Sequence, residues 1–305
     1  MRTHSLLISG LRALFVVLPG LAVAQVAPEN LLPSDAIVRP PDVVIGKGGD
    51  ADLHAKIAYP KNPTGLLPAI IYIHGGGWIR GSYDGFGCAR AATHGYFVAS
   101  VEYRLSTVAK WPAQIQDCKL AVRWLRTNAA QYHVDPNRIG VWGSSAGGHL
   151  ALCVGTMTGV KEYEGDGGYP DVSSAVQAVV DFYGPTDFTR PDHYSENALM
   201  LSALLMGVPY AQNPGLWKSA SPISYVKAGD PPVLIAQGLS DTTVPPAQST
   251  DLDAALTKAG VEHRLILVKN AEHSFKPLPG TTIDPSKAEI EEDAYAFLDQ
   301  HLKKP

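Results

Sequence analysis

An α/β fold, with a mostly parallel twisted sheet covered by helices on both faces, is what this 305-residue sequence predicts. Three observations carry that expectation. Short, wholly apolar runs recur along the chain, as buried central strands require. Amphipathic helical patterns separate them, and that alternation calls for parallel strands joined by helical crossovers. The composition is that of a folded globular chain, 45% hydrophobic and 18% charged, with 29 Gly and 24 Pro to serve many tight loops. A disordered or collagen-like chain is excluded.

From the amino terminus, residues 1–24 read as a secretory signal peptide. Arg2, His4 and Arg12 make a positive start, Ala13 to Leu21 an apolar stretch short for a bilayer span, and Ala22-Val23-Ala24 a small-x-small cleavage pattern. Gln25 rather than Cys follows, so a lipid anchor is not supported. Loss of Arg2 and Arg12 leaves 23 basic against 29 acidic residues in 25–305. That mature chain, expected in the periplasm or outside the cell, has no basic surplus for nucleic acid or an anionic membrane.

Residues 25–42 are Pro-rich and read as an irregular leader. Val43 to Ile45 and His54 to Tyr59 read as strands joined by the turn Gly48-Gly49-Asp50. Ala69 to Ile73, Tyr96 to Val101, Arg138 to Trp142, Val176 to Phe182, Val233 to Ala236 and Leu265 to Val268 read as buried strands. Ile115, Cys118, Val122, Leu125, Ala129 and Tyr132 share one helical face. Leu252, Ala255, Leu256 and Ala259 share another behind Pro245-Pro246, which suits a helix start. Ile290, Ala294, Phe297 and Leu298 mark a final helix, whose acids Glu289, Glu291, Glu292 and Asp293 read as a solvated face. Residues 187–231 break the alternation and are expected to form a small inserted cap on a single catalytic domain, with Met200, Leu201, Leu204, Leu205 and Met206 in one cluster.

No metal or organic cofactor is called for. The acidic stretch Glu162 to Gly168 lacks EF-hand spacing and reads as a solvated connection. Cys88, Cys118 and Cys153 show no zinc spacing and are expected as buried free thiols.

The strongest chemical signal is Gly143-Ser144-Ser145-Ala146-Gly147, between a strand and a helical run. A G-x-S-x-G turn of this kind needs small neighbours so that a strained backbone can lift the serine hydroxyl above the sheet. Ser145 fits that spacing and Ser144 does not. The second signal is His74-Gly75-Gly76-Gly77-Trp78 after another buried strand. Glycines there let N–H groups converge on one point, as an oxyanion hole requires. Gly76, Gly77 and Ala146 are the expected donors, with the register among the glycines open by one residue. Trp78 beside them is a candidate substrate contact.

On these two motifs, together with Glu102-Tyr103-Arg104-Leu105-Ser106, Trp111 to Cys118 and Phe182 to Asp187, the chain resembles the α/β-hydrolase superfamily. Within it, it is most similar to bacterial esterases of the hormone-sensitive-lipase and feruloyl-esterase-like (BD-FAE) group. The resemblance implies a triad in the order Ser, acid, His. Of the ten histidines, that order leaves His263, His273 and His301. Only His273 sits in a loop just past a strand end. Asp241 stands in the family's usual place for the acid, and Asp187 is the alternative. His74 and His149 are assigned structural roles.

The expected function is therefore an exported serine carboxylesterase acting through an acyl-enzyme. Its substrates are short-chain or aryl esters, with acetyl or feruloyl groups on plant polysaccharides implied by the resemblance. Tyr194, Tyr210, Trp217 and Tyr225 of the cap, with Trp78, either stack on sugar or phenolic rings or simply pack. An amide hydrolase on the same triad and a non-catalytic binding protein are the alternatives.

Overall fold

The computed structural model describes residues 33–85 and 87–303. The predicted signal peptide, 1–24, lies outside the described residues. Sixteen regular elements follow one another, apart from short 3-10 turns. They are β1 (Ile37–Val38), β2 (Val43–Gly48), β3 (Ala51–Pro60), β4 (Leu67–Ile73), α1 (Cys88–Thr93), β5 (Phe97–Val101), α2 (Ala113–Thr127) and β6 (Val134–Ser144). The second half holds α3 (Ala146–Thr156), β7 (Ala178–Phe182), α4 (Glu196–Met206), α5 (Pro214–Ser219), β8 (Val233–Gly238), α6 (Ala247–Ala259), β9 (His263–Val268) and α7 (Lys287–Leu302).

One sheet takes in every strand, in the order β1-β3-β5-β4-β6-β7-β8-β9, with β2 also on β3. β3 pairs antiparallel with β1, β2 and β5; every pair from β5 to β9 is parallel. The order reverses around β4. The chain leaves β4 for β5 on one side, then returns to β6 on the other. In an open parallel sheet that reversal opens a crevice at the carboxyl ends of the two strands. Ile73 and Gly143, the last residues that pair β4 with β6, sit opposite each other there. The two glycine-rich motifs thus leave the sheet side by side.

Alternation along the strands divides the core in two. Ala69, Ile71 and Ile73 of β4 face a cluster with Ile115 and Leu125 of α2 and Leu150 and Val154 of α3. Ile70 faces a second cluster with Ala91 of α1 and Ile290, Phe297 and Leu298 of α7.

The structure corrects several details. The leader is not wholly irregular, because Ile37 and Val38 pair with Pro60 and Tyr59. The apolar face of α2 outruns the helix, which stops at Thr127. Tyr132 lies in the turn beyond and reaches the core as a ring, 5.0 Å from Phe97 and 5.7 Å from Trp124. The acids of α7 are not simply solvated. Glu289 completes a capping box with Ser286, Glu291 pairs with Arg90, and Asp293 meets Arg264 at 2.9 Å.

The connection 162–168 is likewise no solvated loop. Lys119 and Arg123 of α2 are fully buried, and Glu164 meets them at 2.7 and 3.1 Å. Two buried cations need such a partner, since an unpaired charge in the interior is costly. The three cysteines are buried free thiols. Among the described residues no helix is long and apolar enough to cross a membrane.

Candidate active site

The turn after β6 places Ser145 at φ 55° and ψ −122°, outside the regions ordinary side chains prefer. Its glycines are there for space. A Cβ on Gly143 would come within 2.0 Å of Gly147 O, and one on Gly147 within 2.0 Å of Ile73 O. Two hydrogen bonds hold the strained residue. Ser145 N–H donates to Phe182 O at 2.8 Å, and Ser145 O accepts from His149 N–H at 3.0 Å.

Two loops complete the constellation. Asp241 follows β8 and His273 follows β9. His273 Nδ1 lies 2.7 Å from Asp241 Oδ2, and its Nε2 lies 2.9 Å from Ser145 Oγ. The carboxylate accepts a hydrogen bond from Nδ1–H, so Nε2 is free to accept from the serine. Asp241 is itself fixed. Oδ1 accepts from the Thr243 and Val244 amides at 2.8 and 2.9 Å, and Oδ2 also accepts from Gln237 Nε2 at 3.2 Å. The Tyr183 ring meets His273 edge-on at 4.9 Å, and the turn behind it bends sharply, with Ser274 and Phe275 at φ 63° and 54°.

Asp187, the alternative acid, is engaged elsewhere. Its Oδ1 accepts from Thr189 N and Oγ1 at 2.8 and 2.7 Å. The structure brings Asp241, not Asp187, to His273. Gln237 belongs to no motif in the sequence and stands just past the apolar run Val233 to Ala236. A polar side chain directly after so buried a run was the available signal.

Opposite Ser145, Gly76 and Gly77 bend away from β4 with φ 116° and 60°. Gly76 O accepts from the Ile79 and Arg80 amides, closing a tight loop. Gly77 and Ala146 line a small cavity of about 30 Å³ that opens on Ser145. Its walls include Trp78, Tyr194, Leu201 and Val244.

Trp78, the candidate substrate contact, lines this cavity. It is 4% exposed, and its Nε1–H donates to His149 Nδ1 at 3.3 Å, so it walls the cavity without offering a free ring face. The cap aromatics also pack. Trp217 is fully buried and donates to Val208 O, Tyr210 stands edge-on to it at 5.7 Å, and Tyr225 Oη lies 2.9 Å from Tyr163 Oη. Tyr194 donates to Asp187 O at 2.9 Å and lines the cavity. The expected cluster in 200–206 is divided. Leu205 and Met206 are buried, Met200 and Leu204 are exposed, and Leu201 packs over Gly77.

Below the serine turn lies a buried acid, Asp181 of β7. Gly184 N–H donates to its Oδ1 at 2.9 Å, and burial pushes its carboxyl up to about 7. His74 stacks on Tyr103 at 4.3 Å, and burial lowers its pKa, in keeping with a structural role.

A sheet of this topology, with a strained serine turn at its carboxyl edge and Ser145, His273 and Asp241 linked there, is an α/β-hydrolase fold. Residues 55–256 match the family described as BD-FAE, and the chain belongs to it. Among curated relatives, Esterase LipQ of Mycobacterium tuberculosis is 35% identical over 242 residues, 77% of this chain and 56% of that protein. Esterase LipC of the same organism is 32% identical, over 72% of this chain and 53% of its own. The chain spans about half the length of these relatives. Among solved structures, a truncated carbohydrate esterase from gut microbiota superposes with a TM-score of 0.73 at 29% identity, covering 91% of this chain and 99% of that one. The esterase Est2 of Thermogutta terrifontis gives 0.70 at 28%, covering 85% of this chain and 91% of its own, and is also described butyrate-bound and propionate-bound.

Proposed function

We propose that this protein is an exported serine carboxylesterase for short acyl esters. The observation that carries the reading is the relay Asp241, His273, Ser145, linked at 2.7 and 2.9 Å and opening on a cavity walled by Gly77 and Ala146. His273 Nε2 takes the Ser145 proton as Oγ attacks the ester carbonyl. Asp241 holds the imidazole tautomer and stabilises the cation that forms. The N–H groups of Gly76, Gly77 and Ala146 receive the charge that develops on the carbonyl oxygen. The protonated imidazole then gives its proton to the leaving alcohol. Water, deprotonated by the same nitrogen, releases the acid.

The narrow cavity, closed by Leu201, Tyr194 and Val244, suits acetyl to butyryl groups better than a feruloyl ring. The butyrate-bound and propionate-bound forms of the Thermogutta esterase agree with that size. Residues 187–231 act as the cap, since α4 brings Ala198, Leu201 and Ser202 to the cavity. An acylated saccharide as substrate rests on the likeness to the carbohydrate esterase. The buried Trp78 and Trp217 lend it no stacking face. Export rests on residues 1–24, and sequencing the amino terminus of protein recovered from the periplasm or medium tests it.

The decisive experiment compares kcat/KM for p-nitrophenyl acetate, butyrate and decanoate, a feruloyl ester, an acetylated xylo-oligosaccharide and an acetanilide. Acetyl and butyryl esters are expected to lead, with the anilide far behind. A preference for decanoyl would overturn the short-chain reading, and preference for the anilide the ester reading. Labelling of Ser145 by a fluorophosphonate is expected; its absence would leave a binding protein.

A further inference from the structure

His149 has no part in the proton relay, yet it is fully buried and touches three elements that build the site. Its amide donates to Ser145 O in the first turn of α3. Trp78 Nε1, which can only donate, lies 3.3 Å from the ring's Nδ1 and makes that nitrogen the acceptor. Nε2 therefore carries the proton and donates it to Ala220 O of the cap at 2.7 Å, with Cys153 Sγ 3.3 Å away. The two partners select one neutral tautomer, and burial holds the ring neutral, its pKa pushed down to about 4.

What lies at the other end of the Trp78 bond matters for catalysis. Trp78 directly follows Gly77 and itself stands at φ 60°, a conformation an indole-bearing residue adopts only when its surroundings impose it. Its carbonyl accepts from Ser106 N–H at 2.7 Å, and its ring meets His149 and Phe188 edge-on at 5.4 and 5.8 Å. The loop that presents Gly76 and Gly77 is thus tied, through one indole, to the helix that presents Ser145 and Ala146.

We infer that His149 is a positioning residue of the oxyanion loop: through Trp78 it keeps the Gly76 and Gly77 amides in register with Ser145, and through Ala220 it ties both to the cap. The inference rests on the esterase reading. Donors aimed at the oxyanion position act only when held to within a fraction of an ångström, so a slackened loop costs turnover more than binding.

The test uses p-nitrophenyl acetate, with kcat counted per site titrated by a fluorophosphonate, and Tm measured beside it. Trp78→Phe keeps an aromatic ring and drops the N–H. His149→Gln keeps a donor for Ala220 and loses the acceptor for Trp78. Each is expected to lower kcat about 10- to 100-fold, with KM changed less than about threefold. His149→Asn, whose Oδ1 stands where Nδ1 stood, should recover most of that loss. The double variant Trp78→Phe/His149→Gln should be no worse than the poorer single.

Asn as poor as Gln, losses that multiply in the double variant, or a fall in Tm with kcat per site unchanged would overturn the role. Should the His149 variants not fold, wild-type kcat in Trp78→Phe alone would overturn it. Retained turnover in Ser145→Ala would remove the esterase reading and this one with it. A dead Ser145→Ala beside undiminished kcat in Trp78→Phe and His149→Gln removes only the role given to His149.

Discussion

Ser145, Asp241 and His273 lie far apart in the chain, and each reaches the site on a different loop. Spacing exposes such residues when the backbone demands small neighbours. The two glycines of the serine turn are readable because a Cβ at either would strike a backbone oxygen. Gln237 and the Trp78–His149 bond leave no comparable trace, since each depends on which strands and helices become neighbours. The choice between Asp241 and Asp187 was open for the same reason. It can now be put to a kinetic test. Ser145→Ala should lose about a millionfold in kcat. Asp241→Asn should fall by about four orders of magnitude, because the imidazole loses the partner that sets its tautomer. Asp187→Asn, whose carboxylate serves Thr189, should keep kcat within a few fold. A crippled Asp187→Asn beside an active Asp241→Asn would move the acid to Asp187.

At the scale of elements, apolar runs located the central strands to within a few residues, because a strand buried on both faces has little choice of composition. Edges were harder. β1 is two residues long and owes its existence to the edge of β3 that β2 leaves unpaired. The overrun of α2 arises because Ala129 and Tyr132 serve the same core face from a turn. In the cap, the Leu/Met cluster marks the stretch that α4 occupies but neither the helix nor its orientation, which only packing against the sheet decides. That orientation yields a prediction. Leu201 points at Gly77, where a Cβ would lie 2.9 Å from Leu201 Cδ1, and it closes the cavity above Ser145. Leu201→Ala should lengthen the acyl pocket and raise the butyryl-to-acetyl ratio of kcat/KM about tenfold, the worth of a methylene or two of apolar burial. An unchanged ratio would mean that the acyl chain lies elsewhere.

Across the whole molecule, the same burial that builds the site sets how stability responds to pH. His94 and His149 are buried neutral, each with its pKa pushed down to about 4 from 6.5. A depressed histidine contributes stability that is present above 6.5 and lost as pH falls toward 4. Asp181 runs the other way. Its carboxyl is raised from 3.8 to about 7, so its contribution is complete below 3.8 and lost as pH rises through 7. At about 1.4 kcal/mol for each pH unit crossed, the cost at pH 8 reaches about 4 kcal/mol. The ionised form is penalised because the chief anchor of the carboxylate is one amide, Gly184 N–H, in a site walled by the backbone of Gly148 and Gly184. Asp181→Asn keeps that acceptor and the shape of the neutral acid, and it cannot ionise. Denaturant unfolding should therefore find Asp181→Asn equal to wild type near pH 4 and more stable by up to about 4 kcal/mol at pH 8. If the two proteins instead unfold in parallel from pH 4 to 8, Asp181 ionises at no cost, and the buried face beneath the serine turn is not the dry wall that its packing describes.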